Sequence, residues 1–265
     1  MRTLVLAVVV MGTGSTLAAQ SLARRIQSAP DGEVRLAFAG REGLCGDGET
    51  FIRDRSRDNY VMMRNWSGKR RYRDEPCDEG PVRVTLKVSG GAVRGARAAV
   101  GGDWRRAGSD VTDLGVVGAA TAARTLVELA RTSRTGASDD LIFPATLADR
   151  DSVAIWTDLL SLARDRQAPR SSRKQAVFWV SQAAGEKAAE GLAEIAGDED
   201  EDREIRDQAV FALSQLPEDE GIPILLRVAR TNRDPEVRKK AMFWLGQSED
   251  PRALALFEEI LSKPE

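Results

Sequence analysis

The chain has no histidine among its 265 residues, only two cysteines, two tyrosines, and 5% aromatic residues. Without histidine there is no Ser-His-Asp triad, no imidazole base near neutral pH and no histidine metal ligand. Two cysteines cannot build a four-cysteine zinc site. No run of about 18 apolar residues occurs, so no segment is long enough to cross a bilayer as a helix. What the sequence does have is a globular composition, 42% apolar and 30% charged, with a formal net charge of −2. That balance supports a packed core, and the length fits one large domain or two small ones.

The N-terminus reads as an address. Met1-Arg2 is a short basic start, residues 4–11 (LVLAVVVM) are apolar, and residues 12–19 end in small side chains. This is the layout of a secretory signal peptide over residues 1–19, with cleavage expected after Ala18 or Ala19; a retained anchor is the alternative. Export implies a secreted or periplasmic protein in an oxidising compartment, where Cys45 and Cys77 are expected to pair as a disulfide.

Charge and patterning both change near residue 110. Residues 20–110 carry 18 basic and 13 acidic side chains, whereas residues 111–265 carry 20 and 28. In the first segment Val34, Leu36 and Phe38 alternate with other residues, as do Val82, Val84, Leu86 and Val88. A period of two describes strands with one buried face. Gly90-Gly91 then marks a hairpin turn. Residues 31–106 are therefore expected to form a small antiparallel β domain, between linkers at 20–30 and 107–117. Such a domain is short of core, and a Cys45–Cys77 loop of about 33 residues would stabilise it by roughly 3–4 kcal/mol.

The C-terminal half repeats itself. Leu126, Leu159, Leu192, Leu225 and Phe257 fall in one column at spacings of 33, 33, 33 and 32. Leu129, Leu162, Ile195, Val228 and Ile260 form a second column, and Ala130, Ala163, Ala196, Ala229 and Leu261 a third. Within a unit these lie at i, i+3 and i+4, one face of a helix. A further helix precedes each of the last three, with columns Arg173, Arg206, Arg238; Ala176, Ala209, Ala241; Phe178, Phe211, Phe243; and Gln182, Gln215, Gln247. Asp234-Pro235 and Asp250-Pro251 place an N-cap acid before a first-turn proline. One helix pair cannot cover its own apolar stripe, but stacked pairs can. The expected fold is mainly α: a short right-handed α-solenoid of about four helix pairs over residues 118–265, following the β domain.

The valine-arginine or isoleucine-arginine pair, the alanine three residues later and the apolar pair before a polar turn resemble HEAT repeats. The short variety also found in phycobilisome bilin lyases is most similar, and the whole layout looks like secreted bacterial HEAT-repeat proteins. The resemblance implies a scaffold whose second helices line a concave surface.

Several side chains are candidates for function. The concave column would be Glu128, Ser161, Glu194, Arg227 and Glu259, mainly acidic and suited to a protein or peptide partner with basic groups. Trp179 and Trp244 would either cover the seam between repeats or act as exposed anchors. The arginine column (Arg173, Arg206, Arg238) reads as structural, because Asp202 and Asp234 precede Arg206 and Arg238 by four residues. The glutamine column reads as helix-end hydrogen bonding between neighbouring repeats. The acidic run from Asp198 to Asp202 lacks the glycine and distal glutamate of an EF-hand loop and reads as a solvated loop. Arg64, Lys69, Arg70, Arg71 and Arg73, interleaved with Trp66 and Tyr72, read as a surface segment.

An exported, non-enzymatic binding module without cofactor or metal is therefore expected, monomeric and without nucleic-acid or membrane-spanning function. The alternative is an enzyme-associated, lyase-like protein with no identifiable catalytic residues. The iron site of HEAT-like deoxyhypusine hydroxylases uses histidines, which this chain lacks.

Overall fold

The computed structural model describes residues 13–49, 51–54, 59–63, 77–104, 108–148, 154–182 and 186–262. The chain divides into two compact units, Met1–Leu129 with Thr135–Val153, and Ala130–Arg134 with Ala154–Glu265. The greater part of the expected signal segment, residues 1–12, and the basic-aromatic stretch 64–73 lie outside the described residues.

Helix α1 (Thr13–Gln27) opens the first unit. Its Ala19, Leu22, Ala23 and Ile26 recur at helical spacing and are all buried. Residues 20–30, expected as a linker, therefore carry a helix as far as Gln27. That stripe is short and directly abuts a signal-like stretch, which masks its period.

Eight strands follow: β1 (Gly32–Phe38), β2 (Leu44–Gly46), β3 (Phe51–Asp54), β4 (Asn59–Met63), β5 (Asp78–Glu79), β6 (Val82–Ser89), β7 (Ala92–Val100) and β8 (Val111–Val116). They make two four-stranded sheets, ordered β7-β6-β1-β8 and β4-β3-β2-β5. In the first sheet Val34 pairs with Leu86, Leu36 with Val84 and Phe38 with Val82, and all six side chains are buried. The β6–β7 hairpin turns at Gly90-Gly91, both at positive φ, a backbone that glycine adopts without a Cβ clash. Strand β8 pairs parallel with β1, so residues 107–117 are not simply linker and the sheet is not wholly antiparallel. Its short, weak alternation (Val111, Asp113, Leu114, Gly115) concealed it, and a bulge at Arg35/Ala37 shifts its register against β1. In the second sheet β2 pairs with β5, and a disulfide joins Cys45 of β2 to Cys77, with S–S 2.06 Å and Cα atoms 5.2 Å apart.

Helices α2 (Ala119–Thr132) and α3 (Ser138–Thr146) follow the strands. The rest of the described chain is helical: α4 (Ile155–Arg164), α5 (Arg170–Ser181), α6 (Glu186–Gly197), α7 (Arg203–Ser214), α8 (Glu218–Thr231), α9 (Pro235–Gly246) and α10 (Pro251–Ser262). The pairs α5/α6, α7/α8 and α9/α10 are consecutive repeats; the apolar columns form their core as far as α8, whereas Phe243 of α9 and Ile260 and Leu261 of α10, expected in the same columns, are exposed. Leu159, Leu192 and Leu225, with Leu162, Ile195 and Val228, are buried, as are Ala176, Ala209 and Ala241. Asp234 caps α9 by accepting the Glu236 N–H at 2.8 Å, and Asp250 accepts the Arg252 N–H at 2.7 Å ahead of α10.

Candidate functional site

The repeat unit is laced by ion pairs that run from one repeat to the next. Along the second helices, Arg164 of α4 pairs with Glu194 of α6, Glu190 of α6 with Arg227 of α8, and Arg230 of α8 with Glu259 of α10 at 2.9 Å. Arg131 donates to Asp165 at 2.7 Å and to the Ser161 hydroxyl at 3.4 Å. Ser161, Glu194, Arg227 and Glu259 are thus on one exposed line, as the sequence columns require, and each is engaged with an adjacent helix. Glu128 lies in the other compact unit. The Glu190 carboxylate, by hydrogen bonding, holds the Arg227 guanidinium above the usual arginine range.

A groove of about 560 Å³ opens between α6 and α8. Glu190, Glu194, Asp198 and Glu199 line it, with Arg227 and Arg233 as its only basic side chains. Asp198 is paired with Arg166 at 2.9 Å, and Glu199 with Arg233 at 3.7 Å.

The acidic run 198–202 is therefore not merely solvated. Its Glu201 is buried against buried Arg173, and Asp202 accepts from Arg170 at 3.1 Å and from Arg173 at 3.5 Å. Among the described residues, no group of three or more histidine, cysteine or acidic residues is placed to hold a metal ion.

The arginine column is structural, with a different partner from the one four residues back. Arg173 reaches Glu201 and Asp202, and Arg206 reaches Asp234 at 2.5 Å, each one repeat ahead. Arg238 instead donates to the carbonyls of Asn232 and Arg233 at 2.8 and 3.0 Å, neutralising a helix C-terminus. The cause lies in the caps: the Asp234 carboxylate turns towards the α9 N-terminus, so its second oxygen faces α7 and not its own helix. The Glu236 backbone N–H first, and Arg206 second, hold the Asp234 carboxyl below the usual carboxylate range.

The glutamines are C-caps of α5, α7 and α9. The amides of Gln182 and Gln215 do not cross to a neighbouring repeat. Each donates at 3.2 Å to the hydroxyl just before it, Ser181 or Ser214, which in turn donates to the Phe178 or Phe211 carbonyl. Gly246 precedes Gln247, so that position has no such hydroxyl. Trp244 covers the α7–α9 seam, its ring 5.1 Å from that of Phe211. Trp179 is half-buried, edge-on to Phe178 at 5.2 Å.

One constellation in the first unit left no sequence signature. Arg35 and Arg83 both stack on Trp104, at 5.2 and 5.1 Å. Arg83 is buried and donates to the Gly48 and Gly101 carbonyls, and burial pushes its guanidinium below the usual arginine range. These partners lie 35 and 18 residues away with no periodic spacing. The ion-pair ladder did have a signal, because its arginines and acids sit about one repeat apart.

The family model for HEAT repeats matches residues 156–242 and 189–265. No curated protein matches the chain.

Proposed function

We propose that this chain, whose residues 156–265 are HEAT repeats, is an exported, non-catalytic scaffold that binds a protein or peptide partner along the exposed face of its second helices. HEAT repeats form helical solenoids that serve protein interaction, because stacked pairs present one long surface. The α6–α8 groove is the observation that carries the reading, with four acids against two arginines in its lining. All four acids hold arginine partners, two of them (Arg164 and Arg166) outside the lining, and a partner segment rich in lysine or arginine would be received at Glu190, Glu194 and Glu259 by exchange with those arginines. Export rests on the signal-like N-terminus, and the Cys45–Cys77 disulfide is compatible with an extracellular or periplasmic location. The lack of any histidine supports a non-catalytic role.

The test uses the full chain and labelled twelve-residue peptides of basic, neutral and acidic composition. Fluorescence anisotropy should detect the basic peptides, with affinity falling as salt rises. Glu190→Gln with Glu194→Gln should weaken that binding several-fold. Equal binding of acidic peptides, or indifference to the double substitution, would overturn the proposal.

A further inference from the structure

The last repeat keeps the apolar columns of the interior repeats but leaves them bare. Ala189 and Ile222 are buried, yet the next member of their column, Leu254, is 58% exposed. Ala196 and Ala229 are buried, and Leu261 after them is 85% exposed. Phe211 packs on Trp244 of the following repeat, whereas Phe243 is 55% exposed. Terminal repeats ordinarily carry polar residues on the outer face. Here alanine becomes leucine at 261, leucine follows isoleucine at 254, and phenylalanine is kept at 243. The apolar face that these side chains leave bare is open to an occupant.

The charges on this face indicate which. Lys239 occupies the column of Lys174 and Asp207, which pair forward with Glu204 and Lys240 of the next repeat at 3.4 and 3.6 Å. Lys239, Phe243 and Gly246 form one stripe of α9, at i, i+4 and i+7. Leu254, Glu258 and Leu261 form the matching stripe of α10. Lys239 and Glu258 have no ion-pair partner among the described residues.

The α9 stripe thus holds one bulky apolar side chain and one charge, and the α10 stripe two leucines and one charge of the opposite sign. Lys239 lies four residues after the first residue of α9, and Glu258 four before the last of α10. Phe243 and Leu254 are each eight residues in from those same ends. A two-fold axis parallel to the helices lays α9 of one copy over α10 of the other. In that arrangement Lys239 is level with Glu258, and Phe243 with Leu254, twice over. The face is self-complementary, as an isologous contact requires.

We infer that a second copy of this chain docks on the α9–α10 end face, giving a two-fold dimer. This departs from the monomer expected from the sequence and is independent of the α6–α8 groove. Two helices of twelve residues cover roughly 18 by 20 Å. That is about 360 Å² per copy and ~720 Å² in total, below the ~1,000 Å² of a stable specific interface, so the dimer is weak and should form only towards millimolar concentration.

Sedimentation equilibrium of the full chain between micromolar and millimolar concentration tests this. The expected result is a shift from 28.9 kDa towards twice that mass. Lys239→Glu alone, or Glu258→Lys alone, sets like charges opposite each other at both contacts and should weaken association at least ten-fold. The two substitutions together restore opposite charges and should recover it to within a few-fold. Leu254→Asp should leave a monomer with an unchanged helical circular dichroism spectrum. A wild-type chain that stays monomeric at millimolar concentration overturns the inference and leaves the face to another molecule. So does a dimer indifferent to Leu254→Asp, or a double substitution that fails to rescue.

Discussion

Arg173 and Glu201 face each other across the α5–α7 boundary with side-chain exposures of only 4% and 3%. The guanidinium also donates to the Ala163 carbonyl at 2.9 Å, and Glu201 accepts the Asp202 N–H at 2.6 Å, so both charges are fully partnered. Removing one partner leaves the other buried and uncompensated. Arg173→Ala or Glu201→Ala should each cost about 3–5 kcal/mol, whereas Arg173→Met with Glu201→Leu should cost far less. Urea midpoints of the three variants decide the matter; single substitutions within about 0.5 kcal/mol of wild type would show the pair to be dispensable.

Acid should loosen the repeat unit. Asp165, Asp234 and Asp250 are all held below the usual carboxylate range, by Arg131, by the Glu236 N–H with Arg206, and by Arg252 respectively. A carboxyl depressed in the folded state contributes stability that is complete above its unfolded pKa, about 3.9, and vanishes as pH falls through the folded value. Midpoints should therefore hold steady from pH 7 to about 5 and fall below about pH 4. Arg206→Ala should lower the midpoint at pH 7 and flatten the acid fall, since Asp234 would then sit closer to its ordinary value. An acid profile identical to wild type would refute that link.

Cys45→Ser should destabilise the first unit by about 3–4 kcal/mol, from the loop of 32 residues' separation that the bridge closes. Amide hydrogen exchange in the intact chain would read this as lost protection in β2 and β6, with α7 and α9 unchanged. Loss of protection in α7 and α9 as well would show that the bridge supports more than its own sheets.

Two helix glycines separate by what a Cβ would meet. At Gly221 it would lie 2.4 Å from the Leu213 carbonyl oxygen, which is backbone and cannot yield. At Gly191 it would lie 2.5 Å from the end of the Leu160 side chain, which can rotate. Alanine gains up to about 1 kcal/mol in a helix interior. Gly191→Ala should thus come out near neutral, and Gly221→Ala should lose about 1–3 kcal/mol. Thermal melts giving the reverse order would contradict the packing.

Much of this fold was legible because a repeat states its core several times over. Leu159, Leu192 and Leu225 sit at constant spacing, and no other feature of the chain imposes that spacing. Asp234-Pro235 and Asp250-Pro251 also cap where local chemistry says they must. Partners set by three-dimensional stacking were less visible. The sequence offers Asp202 to Arg206 by the helix rule of four, while its carboxylate instead accepts from Arg170 and Arg173 one repeat back. Strand β8 and helix α1 were missed because their patterns are short and flanked by misleading neighbours. The Arg35–Trp104–Arg83 stack joins residues that share no period at all.

The cross-repeat ion pairs bear finally on how the helical half is made. Arg166–Asp198, Arg173–Glu201, Arg203–Glu236 and Arg230–Glu259 each close a loop of 28 to 33 residues, whichever repeats they join. The entropy of loop closure depends on loop length, so every such step costs nearly the same, and none must wait for a distant part of the chain. Each repeat of about 33 residues can therefore lock onto the one before it as its own residues emerge, whether from a ribosome at about 5–20 residues per second or from an export channel, and the stack grows in chain order.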